Sequence, residues 1–235
     1  MSTYAFIPEG RARMSGSKLS DRTWWVRLYR VAFGLLIIAA AVYQLDRTGK
    51  WANFFSFFTI QSNLIGSAVL LIGAIALPGA SRKWDLVRGA AAIYLVLTGI
   101  VYNTLLVGLD ESLQTSEPWV NNVLHRIIPL VMVIDFLIIP LGHRIRWREA
   151  LVWTIYPMVY LAYSLIRGPI VDWYPYPFLD PREDGGYPRV ALYCVAILVG
   201  FLGFIWLMTE LNAWRRGERT TPASSAPDLA SPSSP

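Results

Sequence analysis

Six long apolar runs separated by short polar segments dominate the chain, at about 26–46, 53–77, 87–109, 119–141, 149–167 and 190–212. Each is close to the roughly 20 residues that carry a helix across about 30 Å of hydrocarbon at 1.5 Å per residue. In lipid the backbone must satisfy its own hydrogen bonds, so the runs are expected as helices rather than strands. The expected fold is therefore all-α, a polytopic bundle of six transmembrane helices. It falls into a polar arm at 1–23, a transmembrane domain at 24–213 and a basic, then disordered, tail at 214–235. Ala39, Ala40 and Ala41 could pass for a signal-cleavage site. The polar lead is long for a signal peptide, however, and the run behind it is long enough to span, so a retained first helix is expected.

Charge orients these helices. Basic residues collect in alternate segments: Arg11, Arg13, Lys18 and Arg22 in the arm, Arg82, Lys83 and Arg88 after the second run, and Arg144, Arg146 and Arg148 after the fourth. Arg215, Arg216 and Arg219 follow the sixth. The segment after the third run has Asp110, Glu111 and Glu117 and no basic residue. With six crossings every basic segment falls on one side, and the positive-inside rule places both termini in the cytoplasm of a cell-membrane protein. The tail beyond Thr220, rich in Pro, Ser and Ala, cannot bury enough apolar area to fold.

Composition agrees with the pattern. Of 235 residues 54% are hydrophobic and only 16% charged, against about a quarter charged in soluble domains. The net charge of +5 sits at the ends of the apolar runs rather than in a patch with stacking aromatics, which argues against a nucleic-acid partner. Cys194 is the single cysteine, so no internal disulfide forms, and His125 and His143 lack a metal-binding spacing. No metal or cofactor is called for. The first three runs do not recur in the last three, which weakens a transporter reading. The partners expected are membrane lipids, and no feature specifies an oligomer.

Polar residues inside the runs are the candidate chemistry. Ser56, Thr59 and Asn63 have i, i+3, i+7 spacing in the second run and would share one face of an unbroken helix. Asn121 and His125 are i, i+4 in the fourth. Both runs enter from the outer side, at Trp51 and Trp119. Ser56 and Thr59 then lie about 8 and 12 Å below the entry, and His125 about 9 Å, at 1.5 Å per residue. A hydroxyl and an imidazole can meet at that level, the minimal pair for nucleophilic catalysis. Asn63 or Asn121 could orient the base or stabilise an oxyanion. Packing between helices is the plainer role for each polar residue alone.

Three further features lack a single assignment. The outer loop from Asp172 to Pro181 holds Trp173, Tyr174, Tyr176 and three prolines, and suits either an interfacial belt or a lid over a lipid-facing pocket that brings Trp173 and Tyr176 to a substrate. Tyr156, Tyr160, Tyr163 and Arg167 form a polar stripe that either lines a cavity or glues helices together. Asp135 cannot pair with Arg126 on the same helix, which leaves a tyrosine such as Tyr94 or Tyr156 as its expected partner.

Three segments in order, Phe54-Phe55-Ser56-Phe57, Trp119-Val120-Asn121-Asn122-Val123-Leu124-His125 and Trp173-Tyr174-Pro175-Tyr176-Pro177-Phe178-Leu179, resemble the androgen-induced and androgen-dependent membrane proteins and their bacterial relatives. The animal members hydrolyse fatty acid esters of hydroxy fatty acids with a threonine and a histidine inside the membrane. The resemblance implies His125 as the base. It implies Ser56 as the nucleophile if the flanking aromatics set the register, or Thr59 if a shift of one turn is allowed, and register favours Ser56. Arg126 departs from the small polar residue of the animal proteins. The expectation is an intramembrane Ser/Thr-type hydrolase of lipid esters. The alternative is a non-enzymatic membrane protein that binds a lipid or a partner subunit.

Overall fold

A computed structural model describes residues 13–75, 81–109 and 117–215, with side chains from residue 24 onward. The expected disordered tail, Arg11, Arg216, Arg219, Asp110 and Glu111 lie outside the described residues. The protein is an all-α, multi-pass membrane bundle, with six helices long and apolar enough to span: Trp24–Thr48, Phe58–Ile75, Arg82–Leu106, Pro118–Ile138, Trp147–Val171 and Gly186–Arg215.

The boundaries differ from expectation where local chemistry intervenes. The first helix begins at Arg13, so half of the expected arm continues the span. The second run is not one helix. A short helix Trp51–Phe54 ends in a turn, with Ser56 N–H on the Asn53 carbonyl at 2.9 Å and Phe57 N–H on that of Phe54 at 3.3 Å, and the span proper starts at Phe58. Ser56 therefore stands in the turn and does not share a helix face with Thr59 and Asn63. The third span is opened by Ser81, whose hydroxyl accepts from Trp84 N–H at 3.3 Å. The fourth opens on Pro118, where a missing N–H costs nothing, and stops at Ile138 ahead of Pro140.

The first span lies along the second, and the third packs against both the second and the fourth. Gly99 permits the last contact beside the candidate site. A Cβ there would come within 2.9 Å of Pro129 Cβ and 3.4 Å of the His125 carbonyl oxygen. The fifth span stands further off, joined to the start of the second by long side chains. Arg167 bonds Asn53 Oδ1 at 2.8 Å, Tyr163 bonds Ser56 Oγ at 2.8 Å, Tyr160 donates to the Ser56 carbonyl at 3.0 Å, and Tyr156 donates to Gln61. Partner numbers fall along one segment as they rise along the other, the register of antiparallel neighbours.

A charge cluster closes the half of the bundle away from Trp51 and Trp119. Asp135, buried on the fourth span, receives Arg30 Nε at 2.6 Å, Arg30 Nη2 at 3.0 Å, Arg88 Nη2 at 3.1 Å and the Tyr29 hydroxyl. This corrects the expectation of Tyr94 or Tyr156 as its partner. Those rings instead pack on each other, with centroids 5.0 Å apart. Arg30 also donates to the Gly73 carbonyl at 2.8 Å, so one carboxylate ties together the first four spans. Arg88 and Arg215 donate to the carbonyls of Ile139, Phe136 and Leu137, placing cations where the fourth helix leaves acceptors unpaired.

Candidate active site

Thr59 stands on the first turn of the second span, and its Oγ1 lies 3.2 Å from His125 Nε2. Both residues are buried, His125 to 3% exposure. The imidazole rides on a π turn, Val123–Ile127, where one widened turn re-aims side chains. Its Nδ1 lies 3.1 Å from the Asn121 carbonyl. A carbonyl only accepts, so Nδ1 carries the proton and Nε2 of the neutral ring is an acceptor. The Thr59 hydroxyl therefore donates to Nε2, the arrangement a general base needs.

A second hydroxyl arrives from the loop between the fifth and sixth spans. Tyr176 Oη accepts from the Thr59 N–H at 3.2 Å and lies 3.3 Å from Thr59 Oγ1. Since the Thr59 proton goes to His125, Tyr176 is the donor to Oγ1. Burial pushes the Tyr176 phenol above its ordinary range, so it stays protonated and remains a donor. Every donor in this chain of bonds thus has an acceptor, in one consistent direction.

Other polar groups hold the pair in place. Asn63 Nδ2 donates to the Thr59 carbonyl at 2.8 Å and to the Leu124 carbonyl at 3.1 Å, pinning the helix of Thr59 to that of His125. Asn121 Nδ2 donates to the Tyr102 hydroxyl at 2.6 Å, and the Tyr102 ring stacks on His125 with centroids 4.2 Å apart. The sequence does not single out Tyr102; its one signal is a place near the end of the third run, at the depth of His125.

Thr59 also lines a cavity of about 110 Å³ bounded by the second, third, fifth and sixth spans and roofed by Tyr176, Phe178 and Leu179. Its wall is aliphatic and aromatic apart from Thr59, Thr98, Cys194 and the hydroxyls of Tyr160 and Tyr176. From Cys194 to Phe201 it follows the sixth helix for about 10 Å at 1.5 Å per residue. Met158 lines the cavity and is 45% exposed, so the space reaches the outer surface of the bundle along the fifth span. For a spanning helix that surface is the lipid.

Of the residues singled out from sequence, Thr59, His125 and Tyr176 come together. Asn63 and Asn121 are one shell behind, with their amide nitrogens committed to the protein. Ser56 Oγ is committed elsewhere, to the Ala52 carbonyl at 2.7 Å and to Tyr163. Trp173 packs edge-on to Phe57 at 5.4 Å and under Arg167 at 5.3 Å, away from the cavity wall. The polar stripe of the fifth span serves mainly as glue, with only Tyr160 reaching the cavity. Among the described residues no group of three metal-ligating side chains occurs. Comparisons of the chain with protein families, with curated proteins and with solved structures return no match.

Proposed function

We propose that this protein is an intramembrane threonine-type hydrolase of lipid esters, residing in the cell membrane with both termini in the cytoplasm. One observation carries the reading. A buried hydroxyl donates to an imidazole held as a base, at the wall of an apolar cavity that reaches the lipid. The ordered motifs shared with the androgen-induced and androgen-dependent proteins support it, with Thr59 taking the threonine's place through the one-turn shift.

In this reading an ester enters from the bilayer with its chain along the sixth span. Thr59 Oγ1 attacks the carbonyl carbon as His125 Nε2 takes the hydroxyl proton. The carbonyl oxygen becomes an oxyanion, and the protonated Tyr176 hydroxyl, already beside Oγ1, turns to donate to it. Collapse of the intermediate breaks the bond to the leaving alcohol, which takes the proton from Nε2 and departs. Water, deprotonated by the same nitrogen, then attacks the acyl-threonine, and the acid is released as Thr59 Oγ1 takes the proton back from Nε2. The Asn121 carbonyl holds Nδ1–H throughout and supports the charge on the imidazolium, the place an acidic residue fills in other triads.

The test is covalent labelling of the purified protein by a fluorophosphonate, with the adduct mapped by mass spectrometry. An adduct on Thr59 that disappears in His125→Ala supports the proposal. A folded protein that stays unlabelled at Thr59, yet retains co-purified lipid, would replace it with lipid binding without turnover.

A further inference from the structure

Arg126 lies immediately after the proposed base, with one face of its guanidinium over the Tyr102 ring at 5.3 Å and the rest turned outward. It is exposed, as are its neighbours Ile127 at 41% and Leu130 at 59%, on the membrane-facing side of the fourth span. A guanidinium among such residues is costly unless it reaches polar company. It reaches one turn outward, where Nη1 donates to Asn122 Oδ1, and across to the third span, where Nε donates to Asn103 Oδ1 at 3.2 Å. Helical side chains lean toward the N-terminus, so the charge is carried toward the outer headgroup level.

Asn103 is itself exposed on the same face. Two neutral amide oxygens orient the guanidinium but do not neutralise it, and among the described residues no carboxylate pairs with it. Nη2 has no acceptor there either, so donors remain for a ligand. A planar fork with a free edge at the outer acyl–headgroup boundary matches a phosphodiester, which accepts two parallel N–H bonds. We infer that Arg126, oriented by Asn103 and Asn122, binds the phosphate of an anionic phospholipid of the outer leaflet. None of the three residues lines the cavity, and although the Arg126 guanidinium lies 5.3 Å from the centre of the Tyr102 ring, the inference concerns lipid binding and is tested without reference to hydrolysis.

The experiment compares thermal unfolding of the full chain in nanodiscs of phosphatidylcholine alone and of phosphatidylcholine with phosphatidylglycerol. The expected result is a higher Tm with phosphatidylglycerol, an increment lost in Arg126→Gln and kept in Arg148→Gln, which tests the basic segment expected on the cytoplasmic side. Inorganic phosphate added to phosphatidylcholine discs should give no increment. An increment that survives Arg126→Gln in full overturns the site, and an equal effect of free phosphate overturns the lipid as its occupant. Should Arg126→Gln fold poorly, Arg126→Lys keeps the charge but not the fork. Native mass spectrometry should then count one fewer retained phosphatidylglycerol than in the wild type, and an unchanged count overturns the proposal.

Discussion

The oxygen of Thr59 takes part in two bonds of opposite sense, giving its proton to His125 and receiving that of Tyr176. Losing either end has a distinct consequence. Thr59→Ala removes the proposed nucleophile, and hydrolysis of a lipid ester should fall by about three orders of magnitude or more, the scale seen when a catalytic unit is broken. Ser56→Ala leaves the pair untouched and should keep most of the rate, so equal losses in the two variants would unseat Thr59. Tyr176→Phe keeps the ring and removes one donor to the developing charge. A kcat lowered about 10²- to 10³-fold with little change in KM is expected, as for a single oxyanion donor, whereas an unchanged kcat would make Tyr176 a lid residue only. The meeting of a hydroxyl with His125 was legible from equal depth below Trp51 and Trp119. Which hydroxyl was not, because the spacing argument assumed an unbroken helix. The turn at Ser56 removes that residue from the shared face and sends it to Tyr163.

Elements meet here through polar side chains whose partners lie on other helices. Asp135 shows it best, since its contacts span more than 100 residues to Arg30 and 47 to Arg88. An arginine inside the first apolar run and an aspartate inside the fourth were both visible in the sequence. Their adjacency depends on which helices neighbour one another, and hydrophobic patterning does not encode that. The same holds for Asn63, whose reach to the Leu124 carbonyl fixes the second span against the fourth. Asp135→Ala would leave the buried Arg30 guanidinium without a carboxylate, and Arg88 with Asp85 alone, at 4.0 Å. Breaking a buried ion pair on one side typically costs about 3–5 kcal/mol. The variant should therefore show a markedly lower unfolding midpoint in detergent and poor yield, while Glu183→Ala, at an exposed position between the fifth and sixth spans, changes little. A normal midpoint for Asp135→Ala would mean that the cluster contributes nothing net to the bundle.

For the whole molecule, the spans and the connecting charges act together. Six crossings put 139–146, with Arg144 and Arg146, on the same side as Arg82, Lys83 and Arg215, and put the Tyr176 loop on the opposite side with Trp51 and Glu117. The Thr59–His125 pair sits near that second side, a short way below the ends of the helices that carry it. The orientation of the bundle thus decides from which leaflet the proposed substrate comes. Lys and Arg near short loops resist translocation, so the basic side is expected in the cytoplasm and the Thr59 site in the outer leaflet. Reporter fusions after Arg88 and after Arg148 should read cytoplasmic, and fusions near Glu117 and Asp184 should read exterior. Moving the charge bias should move the result. Replacing Arg144, Arg146 and Arg148 together by Gln weakens retention of the inner loop and should yield a mixed signal at Arg148 rather than a clean one. An exterior signal after Arg148 in the unaltered protein would invert the bundle, and would carry both the proposed hydrolase site and the Arg126 headgroup site to the inner leaflet.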